Sequence, residues 1–271
     1  YLLEVNGRYD GSSKFPNNSQ WGFFPSVSAA WVASSESWFN VDFINYLKLN
    51  ASYDMTGNDG FDDAISRTYF SPVKILAHSG MAMANIGNNS LQWETVSKYS
   101  AGLDLSLFNN RLALSANVYK SVTDNLLSMS SLSFLTGLKT SWSNGGALQN
   151  VGYDVTANVK LMNTQNVKWE AGFGLGSYKN EITRLPNNES VTTELYGATI
   201  KSEVGRPVGV FYGYQTKGVY ATTEDANADG YYIKAENGIK TYFQGGDVIF
   251  VDNTPDKEIN SKDMVCIGDP N

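Results

Sequence analysis

The chain has 271 residues, 42% of them hydrophobic and 13% aromatic, with a formal net charge of −7. An acidic balance of this size excludes a nucleic-acid binder built on a basic stripe. No stretch approaches the roughly 20 apolar residues that a membrane helix requires, a filter that β-strands escape because half their residues are polar. The single cysteine, Cys266, excludes a disulfide framework within the chain.

Taken in order, seven segments alternate apolar and polar residues, the period expected of strands lying between two unlike environments. Leu3, Val5 and Tyr9 share one phase of the first. Trp21, Phe23, Val27, Ala29 and Trp31 do so in the second, and Leu47, Leu49, Ala51, Tyr53 and Met55 in the third. Tyr99 to Leu107 and Leu112 to Val118 form the fourth and fifth. The sixth, Asn150 to Leu161, is the most regular: Val151, Tyr153, Val155, Ala157, Val159 and Leu161 oppose Asn150, Gly152, Asp154, Thr156, Asn158 and Lys160. The seventh places Val167, Trp169, Ala171, Phe173 and Leu175 against Lys168, Glu170, Gly172, Gly174 and Gly176.

Asn109-Asn110 predicts a two-residue hairpin, since Asn tolerates positive φ. Residues 163–166 predict a second tight turn and 34–44 a moderate one. Longer links are expected over 11–20, 57–95, 128–148 and from about 182 onward. Short turns at one rim and long loops at the other are the habit of outer-membrane barrels. In the middle of each strand the apolar phase carries no charge, whereas the opposite phase holds Glu4, Arg8, Lys48, Asp54, Asp104, Arg111, Asp154 and Glu170. Aromatics such as Tyr9, Trp21, Tyr53, Tyr99 and Trp169 gather toward strand ends, where interface girdles lie. A soluble sheet with an oily inner face is the competing reading.

Catalytic chemistry finds no support. His78 is the only histidine and falls in a long loop, Cys266 stands alone, and no triad or acid–base pair is identifiable. Gly172, Gly174 and Gly176 occupy the polar phase of a strand with no helix following, so they are expected to relieve crowding rather than cradle a phosphate. Asp225, Asn227, Asp229, Gly230 and Glu236 match the calcium-loop pattern D-x-[DN]-x-[DN]-G-x5-E, which suits a hard cation wanting about six or seven oxygens. Tyr232 replaces the usual aliphatic residue there, and no amphipathic helix flanks the loop. A second acidic loop, Asp252, Thr254, Asp256, Asn260 and Asp263, has oxygen side chains at similar spacing, but Lys257 stands where the turn glycine belongs.

Several blocks resemble one family. Asp10-Gly11-Ser12-Ser13-Lys14-Phe15, then Trp21-Gly22, then Phe24-Pro25-Ser26-Val27-Ser28-Ala29-Ala30-Trp31 is similar to the "DGSS(R/K)F…W…FPSVSAGW" block of SusC/RagA-type TonB-dependent transporters. Leu47 to Tyr53 with Thr56-Gly57-Asn58 resembles "LKLRASYGxTGN". Leu91-Gln92-Trp93-Glu94-Thr95, Gly102-Leu103-Asp104 and Phe108-Asn109-Asn110-Arg111-Leu112 resemble "LKWETT…GLD…FNNRL". Asp124 to Leu127 and Asn150 to Val155 are similar to "DLL" and "NKGVEL", and Gly246-Asp247-Val248, Val251-Asp252 and Ile267-Gly268 to the "GDIKYVDxNGDGxIDxxDxxxIG" block.

The resemblance implies an all-β, antiparallel up-and-down transmembrane β-barrel of about 22 strands, of which this chain supplies roughly seven. Residues 1–181 are then barrel strands with short periplasmic turns and long extracellular loops. Residues 182–271 are a long extracellular loop region, with the next barrel strand missing. The implied protein is not an enzyme. It is an outer-membrane importer of glycans or oligopeptides in a Gram-negative Bacteroidetes bacterium, partnered by a SusD-like surface lipoprotein, embedded in outer-membrane lipid and driven by the TonB–ExbB–ExbD complex through parts outside this chain. The chain starts at Tyr1 in mid-pattern and is expected to belong to a longer protein with a plug domain. The acidic loop of Asp225, Asn227, Asp229 and Glu236 is the expected Ca²⁺ site if there is one. The alternative function is a soluble or surface-attached β-sandwich that binds carbohydrate through exposed aromatics.

Overall fold

The computed structural model describes residues 1–61, 65–75, 78–138, 140–186, 190–195 and 198–270. The chain divides into two compact units, Tyr1–Glu189 and Ser190–Asn271. The first holds β1 (Leu2–Gly11), β2 (Trp21–Val32), β3 (Ile44–Asn58), β4 (Tyr69–Ile75), β5 (His78–Asn85), β6 (Glu94–Leu107), β7 (Leu112–Ser131), β8 (Thr140–Asn163) and β9 (Lys168–Arg184). Seven of these form one antiparallel sheet in the order β1-β2-β3-β6-β7-β8-β9. Each strand pairs with its predecessor in that series, and the separate β4–β5 hairpin is inserted between β3 and β6.

The register carries the alternation across the sheet without a slip in the central rows. Ala29 pairs with Ala51, Ala51 with Ala101, Ala101 with Val118, and Val118 with Tyr153. One row nearer the short turns, Leu49, Leu103, Ala116, Val155 and Leu175 are successive partners. Because the side-chain period is two, a one-residue slip would throw every apolar residue onto the other face. The predicted phases therefore become two continuous surfaces.

Two expectations about connections change. The β6–β7 link is not a two-residue hairpin. Leu107 pairs with Leu112, and Phe108, Asn109 and Asn110 all have left-handed φ values of 54°, 56° and 60°. Asn accepts that conformation readily, whereas Phe108 needs tertiary support. Its backbone N–H donates to the Phe43 carbonyl at 2.9 Å, and its ring stacks on Phe43 at 6.2 Å.

Residues 128–131 and 140–148 are strand rather than loop. β7 and β8 continue past the predicted ends, pairing Leu126 with Gly146 and Ser131 with Thr140. A bulge between Thr123 and Leu126, with Asn125 at φ 56°, resets the alternation there and hides the extension from a period-two reading.

The second unit has its own architecture. It contains β10 (Val191–Leu195), β11 (Ala198–Ser202), β12 (Val210–Gly213), β13 (Thr216–Val219), α1 (Thr223–Asp229), β14 (Tyr232–Lys234), β15 (Lys240–Tyr242), β16 (Val248–Phe250) and β17 (Val265–Gly268). β10-β11-β12-β17 make a small antiparallel sheet, and β13 pairs with β16 and β14 with β15. Tyr220, Ala226, Phe243 and Ile259 form its buried core, with Tyr231, Ile249 and Phe250 packed around them.

Candidate functional site: a two-faced wall with a packed rim

The apolar face of the seven-stranded sheet is uncovered. Leu3, Val5, Phe23, Leu49, Val118, Val155, Phe173 and Leu175 are all exposed. A soluble sheet buries such a face to gain about 25 cal/mol per Å² of apolar area. Here no second sheet of the first unit lies over it among the described residues. An exposed apolar surface of this extent marks contact with lipid or a partner.

The opposite face is polar and internally bonded. Lys48 and Asp104 are cross-strand partners with Nζ 3.2 Å from the carboxylate, and Asp104 also accepts from Ser115 Oγ at 2.7 Å. Ser52 and Ser100 hydroxyls lie 2.8 Å apart, and Ser52 Oγ donates to Asp54 at 2.8 Å. Asn180 Nδ2 donates to Asn150 Oδ1 at 2.6 Å. Gly172, Gly174 and Gly176 pair with Asn158, Thr156 and Asp154 on this face. A methyl group at Gly172 would come within 2.9 Å of Asn158 Oδ1, while those at Gly174 and Gly176 would meet ordinary contacts. The atom met at Gly172 is the end of a flexible side chain that can move aside, so crowding is a weak reason for that glycine and none for the other two.

At the loop rim several of the family-like blocks of the sequence meet. Phe15 and Leu91 are fully buried with Ile65, and Phe61, Trp93, Leu127 and Trp142 pack around them. Phe15 lies 4.8 Å and Phe24 5.4 Å from the Trp93 ring. Lys14 Nζ ties this cluster to the carbonyls of Asp59 and Phe61 at 3.0 and 2.8 Å. Phe24 lies across two glycines: a Cβ would sit 2.5 Å from its ring at Gly22 and 2.1 Å at Gly57. Gly57→Ala must displace a buried ring held by Trp93. It is expected to destabilise the rim by about 1–3 kcal/mol, read as a lowered thermal unfolding midpoint of the purified receptor; an unchanged midpoint would show that the ring yields freely.

The calcium-loop pattern does not fold as a loop. Asp225, Asn227 and Asp229 lie on α1, where Asp225 and Asp229, four residues apart, fall on one face and Asn227 on the other. Thr222 caps this helix, its Oγ1 accepting from the Asp225 N–H at 3.2 Å and donating to the Asp225 carboxylate at 2.8 Å. Asp229 accepts from the Tyr220 hydroxyl at 3.1 Å. Gly230, at φ 69°, closes the helix, and Glu236 lies beyond β14 in the β14–β15 connection. Burial and the Asp229 carboxylate raise the Tyr220 phenol to about 12. Among the described residues no group of three or more His, Cys, Asp or Glu side chains is arranged to hold a metal. The sequence signal for the helix is the Thr222-x-x-Asp225 cap followed by Gly230.

In the second acidic loop the oxygens serve the backbone. Asp263 is fully buried and its carboxylate accepts from the N–H groups of Asn253, Thr254 and Asn260 at 3.0, 3.1 and 2.9 Å and from Thr254 Oγ1 at 2.8 Å. Burial alone would push this carboxyl up; the Asn260, Thr254 and Asn253 hydrogen bonds outweigh it and hold it below the ordinary carboxylate value. Asp252 accepts from the amides of Thr254 and Lys257, and Lys257 takes the left-handed position with φ 65°. Nearby in the same unit, the hydrogen bond from Lys201 and then that from the Tyr212 hydroxyl lower the Glu203 carboxyl. His78 is exposed at the start of β5, and the Cys266 thiol rests 3.6 Å from the Gly268 carbonyl.

A sheet whose strands run up and down in chain order, oily on one face and hydrogen-bonded on the other, is the wall of a β-barrel. The sequence pattern of the family described as TonB dependent receptor-like, beta-barrel matches residues 1–256, and the chain belongs to this family. It is 30% identical, over its full length, to TonB-dependent receptor P3 of Formosa agariphila, of which it covers 27%. It is also 26% identical over 70% of its length to TonB-dependent receptor SusC of Bacteroides thetaiotaomicron, covering 20% of that protein. Among solved structures, the RagAB peptide transporter superposes over 92% of this chain and 28% of its own, with a TM-score of 0.74 and 21% identity, a likeness of fold. The chain thus spans about a quarter of the length of such relatives.

Proposed function

We propose that this chain is barrel wall and outer loops of a TonB-dependent transporter in the outer membrane of a Gram-negative bacterium. The transporter imports an oligosaccharide or oligopeptide with a SusD-like surface lipoprotein as partner. The observation that carries this reading is the pairing of an uncovered apolar face, free of charge in its central rows, with a bonded polar face in one sheet, within a chain of this family. The apolar face meets lipid, the polar face lines the lumen, and the residues after β9 stand outside the cell with the other long connections. Relatives named TonB-dependent receptors, SusC among them, and the fold of the RagAB peptide transporter support a transport role; the peptide is a property of RagAB. A carbohydrate-binding sandwich is disfavoured, because it needs a second sheet over the apolar face.

Removing residues 190–270 from a receptor that carries this chain is expected to reduce nutrient uptake or lipoprotein capture while the barrel still assembles. Uptake and capture at wild-type level would remove the outer-loop role. Growth of the deletion strain on a panel of glycans and peptides identifies the substrate class.

A further inference from the structure

A shallow groove of about 630 Å³ crosses β6 to β9 on the apolar face. Its lining takes three consecutive residues from each strand, centred on Ser100, Tyr119, Gly152 and Tyr178. Those four belong to the polar phase and contribute backbone to the floor. The groove therefore runs between two apolar-phase rows: Ala101, Val118, Tyr153 and Ser177 on one side, Tyr99, Lys120, Val151 and Lys179 on the other. Small Ala101 and Ser177 make the dip, and Tyr99 and Tyr153 stand as its walls. From the first of these rows to the short turns, no Asp, Glu, Lys or Arg occupies this phase of β6, β7, β8 or β9.

The two lysines sit where this charge-free band stops. Lys120 on β7 and Lys179 on β9 share a row two strands apart, roughly 10 Å, a gap that two flexible Lys side chains can close from both sides. Lys120 has no ion-pair partner among the described residues, whereas Lys179 Nζ lies 3.5 Å from Glu181 of the next row outward. The groove is thus an apolar channel with a net cationic mouth and a tyrosine on each wall, the shape of an amphiphile with its anionic end at the interface.

We infer that this groove holds one acyl chain of a phosphate-bearing membrane lipid whose headgroup is bound by Lys120 and Lys179. The inference rests on the reading that this face meets lipid. Each lysine attracts the headgroup phosphate, while Glu181 competes for Lys179 and makes Lys120 the stronger contributor. The floor accepts an acyl chain because it has no polar side chain beyond Ser177.

The test uses the intact receptor purified in detergent, with phosphatidylglycerol and phosphatidylcholine as probes and native mass spectrometry counting retained lipid. The wild type should retain phosphatidylglycerol over phosphatidylcholine by about tenfold, and the Lys120→Gln/Lys179→Gln double variant should lose that preference. Glu181→Gln should increase it, an arm that does not depend on removing a lysine. Inorganic phosphate should not displace the lipid; displacement would overturn the amphiphile in favour of a free-phosphate site. Equal retention by wild type and double variant overturns the inference. A receptor recovered outside the membrane fraction would overturn the membrane reading itself, so the two failures are distinguishable.

Discussion

A Leu103→Arg receptor is expected to fail in barrel assembly, while Asn117→Lys assembles normally. Leu103 lies in the apolar row with Ala116, Val155 and Leu175, midway between the short turns and the Lys120–Lys179 row. A guanidinium there meets hydrocarbon near the bilayer midplane and costs about 2–4 kcal/mol. Asn117 is the cross-strand partner of Gly102 and Asp154 on the polar face, so a new ammonium gains a carboxylate neighbour in water. Heat-modifiable gel mobility reads assembly for both. Equal assembly of the two variants would show that the apolar face does not meet lipid.

Asp263→Ala should melt the loop between β16 and β17. Four donors, the amides of Asn253, Thr254 and Asn260 and the Thr254 hydroxyl, lose one buried acceptor. Each unsatisfied donor costs about 1–3 kcal/mol, less where water reaches it, so a loss of the order of 3 kcal/mol follows. Hydrogen exchange of residues 252–263 in the intact receptor measures it.

The pH dependence has a definite sign. Because the folded carboxyl is held below its ordinary value of 3.8, the folded loop binds its proton less readily than the unfolded one. The stabilisation is complete above the ordinary range and is lost as pH falls through the lowered folded value. Asp263→Asn should flatten that acid limb, and wild-type protection that is indifferent to acid would contradict the assignment.

The seven wall strands were legible because each keeps period two over most of its length and the middle rows of one face carry no charge. Their extensions were not. Asn125 in the left-handed region and the Thr123–Leu126 bulge break the period within β7, so a continuous strand reads as two. Phe108 shows a similar limit: nothing in its type announces positive φ, and only the Phe43 ring and carbonyl explain it.

In the second unit, strands such as β14 and β15 are too short to show a period. The calcium-loop pattern of Asp225, Asn227 and Asp229 overlies a capped helix, since the same Asp, Asn and Gly residues serve both turns and helix ends. Asp263 was visible as an oxygen donor, but its burial and its service to backbone amides depend on residues ten positions earlier.

If β7 separates lipid from a watery lumen, spin-label accessibility along it must alternate. Single cysteines at residues 112–119, introduced into the intact receptor on a Cys266→Ser background in lipid bilayers, are labelled with a nitroxide and relaxed by oxygen or by a water-soluble nickel chelate. Oxygen should dominate at Leu112, Leu114, Ala116 and Val118, and nickel at Ala113, Ser115, Asn117 and Tyr119. Nickel access at both parities, or no alternation, would contradict the account.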